Sequence, residues 1–435
     1  MIKVITSSQI SKDLYKTRSL GSDVQEVVLS IISEVKNHGD QALFSLSAKF
    51  DQASPTSFLI PETHLIQVAE ELKKDNPKLY DALCYSRDLA LKFAKRQREC
   101  YTDFEEELDT GLFTGQKTIP VDRAGLYVPA GRFPLLSTVI MCACPALAAG
   151  CKDVILCTPP RLHPENKDKP WVDKGILATA YICGITKVYA CGGAQAIAAM
   201  AYGTQSIPKC DVIVGPGNKF VAEAKKSIYG DAGIDMVAGP SEVFIIADKN
   251  ANPEWVAADM LAQAEHDPDA QAILATDSQE LIAKVTAEIE KQLVDLPTKD
   301  TASKSIENNG LIILTKDLNE AIDIANKKAP EHLEIALDSG KNRDNLVSQA
   351  RNFGSLFIGH EAAEVLGDYA AGLNHTLPTS GSARFTGGLS VRMFLKTVTT
   401  LRTENNRKSA KAASILGDTE GLAAHARAAR FRITD

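Results

Sequence analysis

The sequence predicts an α/β protein built on parallel sheets in a doubly wound layout, and two observations carry that expectation. Short β-branched runs closed by Gly, Pro or Asp recur: "RAGLYVPAG", "KDVILCTPP", "ITKVYACGG", "CDVIVGPG" and "SEVFIIAD". Most are followed by helical stretches such as "AQAIAAMAYG" and "NKFVAEAKKSIYG". A strand that returns parallel to its predecessor needs a crossover, and helices of this length supply it. The alternation resumes at "AQAILATDS", "GLIILTKD" and "GSLFIGH", which predicts a second α/β unit.

Around those blocks the chain changes texture. Residues 1–25 read as a short arm. From Asp23 to about Arg98, apolar residues recur at spacings of three and four, the mark of amphipathic helices covering a core. The texture shifts near Thr118. After Thr376 the chain is rich in Thr, Arg and Ala, then runs helical from about Asn405 to Arg430. At 435 residues, two to four domains are expected.

Composition removes several function classes. With 44% hydrophobic and 24% charged residues, the chain has ordinary soluble globular composition. A net charge of −7 lacks the basic excess of a nucleic-acid binder and suits a cationic substrate. No apolar run of ~18 residues implies a membrane span, and the opening stretch has no apolar leader segment. Nine cysteines form no tight framework, and Cys142 and Cys144 lack a second pair for a zinc knuckle. They read as reduced core thiols of a cytoplasmic protein.

Two glycine turns, "CGGAQAIAAM" and "VGPGNKFVAEAKK", sit where a strand gives way to a helix. Helix N–H groups point outward at such junctions, so each is either a plain turn or a phosphate or adenosine loop. Gln195 and Asn218 place side-chain amides there, able to donate and accept at a ribose or phosphate.

Titratable residues gather in four further stretches. "NPEWVAADMLAQAEHDP" starts a helix with Asn252 as cap and Pro253 first, and ends it before Pro268. Gln263 and His266 are three apart and share a face, as a structural pair or as metal ligands. In "APEHLEIAL", Glu331 and His332 are adjacent. They form either a salt-bridged surface turn or a pair dividing proton work between an imidazole and a water-activating carboxylate. "GDYAAGLNHTLPTSGSARFTGG", with Asp368 and His375, reads as a functional loop or an interdomain connection. Near the end, Glu420 and His425 share a helical face only if Gly421 breaks the helix. A His so placed is otherwise a solvated bystander.

In their order along the chain, "GLYVPAG", "GGAQAIAAMAYGT", "VGPGNKFVAEAK", "AGPSEV", "QAEHDPDAQAIL", "APEHLEI", "GDYAAGLNHTLPT" and "EGLAAHARA" resemble the histidinol dehydrogenase family. The resemblance implies two Rossmann-like domains, one inserted in the other, with terminal extensions used in dimerisation. It divides the chain into an arm (1–25), a first domain (26–127 plus 235–376), an inserted domain (128–234) and a C-terminal dimerisation segment (377–435). It implies a homodimer with shared active sites that takes a small-molecule alcohol, L-histidinol, to L-histidine through the aldehyde with two NAD. One zinc ion (Zn2+) per subunit would be held by Gln263, His266, Asp368 and His425, the last from the partner subunit. Glu331 and His332 would be the catalytic pair. Ser241 and Glu420 would join His332 and the zinc ligands around the substrate, and Tyr127, Gln195 and Asn218 would contact NAD.

The sequence departs from the family pattern at Ala130-Gly131, where two glycines are usual, and at Asp267, where glycine usually follows the ligand His. Asp267 would add negative charge beside the metal or accept a bond from His266. Related paralogues, such as sulfopropanediol dehydrogenase, oxidise other alcohols. On that alternative, Arg132 and Arg384 would bind a sulfonate. A scaffold that binds metal without turnover is the non-enzymatic alternative.

Overall fold

A computed structural model of the chain describes residues 2–16, 22–51, 55–130, 134–161 and 171–433. Strands β1 (Lys3–Thr6), β2 (Leu59–Ile60), β3 (Phe104–Asp109), β4 (Leu112–Pro120) and β5 (Arg123–Tyr127) come first. Then follow β6 (Asp153–Thr158), β7 (Lys187–Ala190), β8 (Val212–Val214), β9 (Gly233–Ile234) and β10 (Glu242–Ala247). The last are β11 (Gln271–Thr276), β12 (Leu311–Leu314), β13 (His332–Ala336), β14 (Ser355–Ile358) and β15 (Leu395–Thr403).

They form two six-stranded sheets and one three-stranded sheet. The first sheet runs β1-β12-β11-β10-β13-β14 and is parallel throughout. The second runs β2-β7-β6-β5-β8-β9 and is parallel except that β2 is antiparallel to β7. In each, the five strands β12-β11-β10-β13-β14 and β7-β6-β5-β8-β9 have the doubly wound order 3-2-1-4-5 within their unit. Both faces of each sheet are covered. Val243, Ile245 and Ala247 of β10 enter one core, while Phe244 and Ile246 enter the core on the opposite face. Burial on both sides is why these strands read as continuous apolar runs. Truncating Phe244, fully buried, to Ala is expected to cost about 3–5 kcal/mol.

The expected domain limits do not coincide with the sheets. Strand β5, assigned to the first domain, lies between β6 and β8 in the second sheet. Helices Ser22–His38, Glu62–Asp75 and Pro77–Arg98 also cover the second sheet, through Val24, Val28, Leu65, Val68 and Leu83. These three helices, with strands β2 and β5, therefore pack with the strands of 128–234. Amphipathic periodicity shows that a face is buried but not what it is buried against. The arm also differs from expectation, because residues 3–6 are an edge strand.

The third sheet, β15-β4-β3, is antiparallel and mostly exposed. The expected C-terminal helix is two helices, Arg407–Thr419 and Ala423–Arg430, with Gly421 in the left-handed region (φ 76) between them. Among the described residues, no helix is long and apolar enough to cross a membrane.

Candidate active site

The adjacent Glu331 and His332 are not a surface turn. Helix Leu318–Lys328 ends at Ala329, a non-glycine residue held at φ 53, a conformation costing about 1–2 kcal/mol. Pro330 then prevents the helix from resuming, and the chain enters β13. This buries both side chains, Glu331 to 5% exposure and His332 to 4%. The Glu242 N–H, at the start of β10, donates to Glu331 Oε2 at 2.9 Å. His332 Nδ1 lies 3.1 Å from the Glu242 carbonyl oxygen and 3.6 Å from Glu364 Oε2. His332 Nε2 faces Asp368 Oδ1 at 3.6 Å. Ser241 immediately precedes Glu242, which sets it beside this pair, and its own carbonyl accepts from the Gln271 N–H.

Asp368 lies on the short helix Glu364–Tyr369. Gly367 lets that helix lie against Phe357, since a Cβ there would sit 2.8 Å from the ring. The Phe357 ring is in turn 5.9 Å from the His332 ring. Burial pushes the Asp368 carboxyl up, but His332, His375 and His266 together hold it below the ordinary carboxylate range. His375 Nε2 is 3.1 Å from Ser137 Oγ, and burial lowers its proton affinity.

Helix Pro253–Ala264 begins as expected, with the Asn252 side chain accepting from the Glu254 N–H. His266 lies just beyond its end rather than on it, because the residue before Pro268 is forced out of the helical region. Gln263 is 1% exposed, and both its amide oxygen and its amide nitrogen lack a partner among the described residues. A buried unpaired amide costs about 1–3 kcal/mol per group, so this one is built for something that completes it. The Asp267 carboxylate accepts from the Asp269 N–H at 3.0 Å and shapes the turn.

The pocket is short of positive charge. Burial pushes Glu331 up to about 8, with His332 pulling the other way. Burial, with Asp259 beside it, raises Glu334 to about 8, and burial raises Asp259 to about 6. Glu364 is driven well above its ordinary value, first by burial. Burial disfavours a charged His332, yet Glu331, Asp368 and Glu364 raise it to about 10. A cation placed here would relieve several of these penalties at once.

Among the described residues, no three His, Cys, Asp or Glu side chains could hold a metal ion between them. Within one chain, His425 therefore does not join His266 and Asp368. Glu420 and His425 are exposed on the C-terminal helices. That segment is tied to the β3–β4 hairpin, through Asn406 to the Thr110 carbonyl and Lys408 to Asp109.

At the second sheet, Tyr127, Gln195 and Asn218 stand at the carboxyl ends of β5, β7 and β8. The Gly193 N–H donates to Tyr127 Oη at 3.0 Å. Gln195 is buried and hydrogen-bonds the Asp51 carboxyl. Asn218 Oδ1 caps helix Lys219–Ile228 by accepting from the Phe220 and Val221 N–H groups. Gly215, at φ 123, has no room for a side chain, because a Cβ would lie 2.0 Å from the Tyr127 carbonyl. Its N–H donates to Asp235 and its carbonyl accepts from Lys225, and those two buried side chains pair with each other.

Several residues that shape these sites carry no sequence signal of their own. Glu364 looks like a surface acid in "EAAEVLGDY", Lys328 like an ordinary helix-end cation, and Glu242 like the edge of an apolar strand. Conversely, Arg384 is not part of the Glu331–His332 pocket. It bonds the Lys327 and Gly381 carbonyls beside a separate cleft of about 490 Å³ lined by Tyr15, Asp323, Arg351 and others. Arg132, Gly131 and His163 lie outside the described residues, while Ala130 is buried.

A family model described as histidinol dehydrogenase matches residues 15–433. Histidinol dehydrogenase of Streptococcus mutans is 42% identical over 98% of this chain and 98% of its own length. That of Sulfurimonas denitrificans is 44% identical, covering 94% of this chain and 93% of its own. The crystal structure of histidinol dehydrogenase from Elizabethkingia anophelis superposes with a TM-score of 0.91 at 35% identity, over 99% of this chain and 98% of that one.

Proposed function

Because the chain belongs to the histidinol dehydrogenase family, we propose that the pocket around Glu331 and His332 is where it oxidises L-histidinol to L-histidine. The reaction is an NAD-dependent, four-electron oxidation in histidine biosynthesis that passes through the aldehyde. The observation that carries the assignment is the buried Gln263 amide with no partner for either polar atom, on a helix packed against the one that carries Asp368, whose carboxyl in turn interacts with His332 and His266. A neutral amide, an imidazole and a carboxylate form a borderline donor set suited to zinc. Gln263, His266 and Asp368 would hold the ion, with His425 of a second copy as fourth ligand. Only two of the four, His266 and Asp368, are acidic or imidazole groups of one chain, which explains why a single chain holds no group of three.

Bound zinc would fix the substrate's amine and imidazole nitrogens, and bound NAD would take the hydride in each oxidation. With the carboxylate charge around it offset by a bound cation, the His332 ring would be neutral and would receive the alcohol proton at Nε2, the ring nitrogen that faces Asp368. Glu331 takes a proton from the water that adds to the aldehyde, and the resulting hydrate loses the second hydride. Ser241 and Glu420 complete the substrate contacts, with Glu420 answering the substrate's positive charge. Tyr127, Gln195 and Asn218 line the nucleotide crevice, at the point where the second sheet reverses strand order.

We also read the chain as two Rossmann-like domains, one inserted in the other. Strands of the first sheet come from 3–6 and 242–358, and those of the second from 59–234 between them. A homodimer is supported by exposed Phe104, Leu108, Leu401, Ile415, Leu416 and Phe431 on the outer sheet and C-terminal helices. A cytoplasmic location fits nine unpaired thiols, seven of them buried.

The test is a substrate panel with purified protein and NAD, comparing L-histidinol with sulfonated and plain diols. Two NADH per L-histidinol and one zinc per subunit are expected. Turnover of a sulfonated diol in preference to L-histidinol would reassign the pocket, and no NADH from any alcohol would leave only a scaffold.

A further inference from the structure

We propose that Lys328 and Glu242 are positioning residues for this reaction, a buried ion pair that sets the Glu331–His332 pair and keeps the ring proton of His332 on Nδ1. The inference rests on the functional reading above and deepens it. Lys328 Nζ donates to Glu242 Oε1 at 2.6 Å, with side chains only 5% and 4% exposed. The backbone of the same glutamate touches both members of the pair. Its N–H donates to Glu331 Oε2 at 2.9 Å, and its carbonyl lies 3.1 Å from His332 Nδ1. A carbonyl only accepts, so Nδ1 must carry the hydrogen. When the ring is neutral, its lone pair is then on Nε2, on the side of Asp368.

Glu242 is therefore the reference from which both side chains are aimed, and Lys328 fixes that reference from the other strand of chain. Only Ala329 and Pro330 separate Lys328 from Glu331. Ala329 holds the left-handed conformation that turns the chain back, and such local strain persists only where the surroundings enforce it. The lysine closes this loop: its side chain grips Glu242, whose backbone grips the residues three and four positions after it. Stability alone does not call for a buried charge pair here, because apolar residues of equal volume commonly serve a core as well or better. A fixed geometry does.

The decisive variant is Lys328→Met in the zinc-loaded, full-length enzyme. We expect kcat for L-histidinol to fall at least tenfold while KM and zinc content stay within twofold, with partial recovery in Lys328→Arg. Nitrogen-15 labelling of the eight histidines, with the His332 signal identified by its loss in His332→Asn, reads the ring directly and needs no turnover. Nδ1 of His332 should be protonated in the wild type and lose that fixed signature in Lys328→Met. Unchanged kcat in a folded Lys328→Met, or a wild-type ring protonated on Nε2 alone, overturns the proposal. So does equal loss of kcat, KM and zinc, the mark of a merely structural pair. If Lys328→Met does not fold, Glu242→Gln takes its place with the same expectations, and the wild-type ring signal is read in either case. Full turnover by His332→Asn would instead overturn the functional reading, whatever the ring signal shows.

Discussion

The two six-stranded sheets share one strand order and use opposite ends of it. At the second sheet, Tyr127, Gln195 and Asn218 cluster where strands finish and helices begin. At the first, Glu242, Glu331 and His332 cluster where strands begin, and Gln263 and Lys328 arrive there at the ends of helices. Helix N-termini offer N–H groups and partial positive charge, which suits a dinucleotide's phosphates. Helix C-termini offer carbonyls and partial negative charge, which suits a metal ion or an amine. The sign of the ligand therefore tells which end of a doubly wound sheet can serve it. The acidic surplus around His332 follows the same division.

If the two ends do separate chemistry from cofactor binding, damage at one should spare the other. His332→Asn is expected to lower kcat by roughly 10²–10⁴ and leave NAD affinity unchanged. Steady-state kinetics beside calorimetric NAD titration measures both, and a matching loss of NAD binding would break the contrast. Next in size is the proposed sharing of the zinc ligands between two copies. His425→Ala and His332→Ala should each be inactive alone, whereas their heterodimer should recover about half the wild-type rate, because one of its two sites is then intact. No recovery after verified subunit exchange would confine His425 to its own chain. Gln195→Ala should weaken NAD roughly fivefold, about 1 kcal/mol for one lost hydrogen bond, with zinc content untouched.

The last effect concerns stability alone. Burial pushes the Asp51 carboxyl up to about 6 from 3.8, against the pull of Ser47 and Gln195. Between those values the folded chain keeps a proton that the unfolded chain has released, so stability falls as pH rises from about 4 to 6 and stays lower above. Asp51→Asn removes that penalty. It should raise stability by about 1–3 kcal/mol at pH 8 and not at pH 4, as paired thermal melts would record.

Much of the frame is legible in the sequence. The helix at 253–264 announces itself through Asn252 and Pro253, and the doubly wound strands through apolar runs ended by glycine turns. Other features are not legible, for physical reasons. "FEEELD" and "LKTVTTLRT" form strands of the outer sheet without a buried face, so they lack the alternation that marks one. Adjacent Glu331 and His332 look like solvated charges until the chain around Pro330 is seen to bury them; family resemblance, not spacing, singled them out. The Lys328–Glu242 contact joins residues 86 apart, a separation at which local pattern carries no information.

The chain order of the strands also orders events in time. Lys3 pairs with Leu311 at the edge of the first sheet, while the strands of the second sheet lie wholly within 59–234. During synthesis that intervening unit can collapse while β12 is still untranslated, and strand β1 must wait, tethered and unpaired, until the ribosome delivers its neighbour. Pulse-labelled hydrogen exchange on refolding chains should then protect the second sheet's amides early and those of β1 and β12 late.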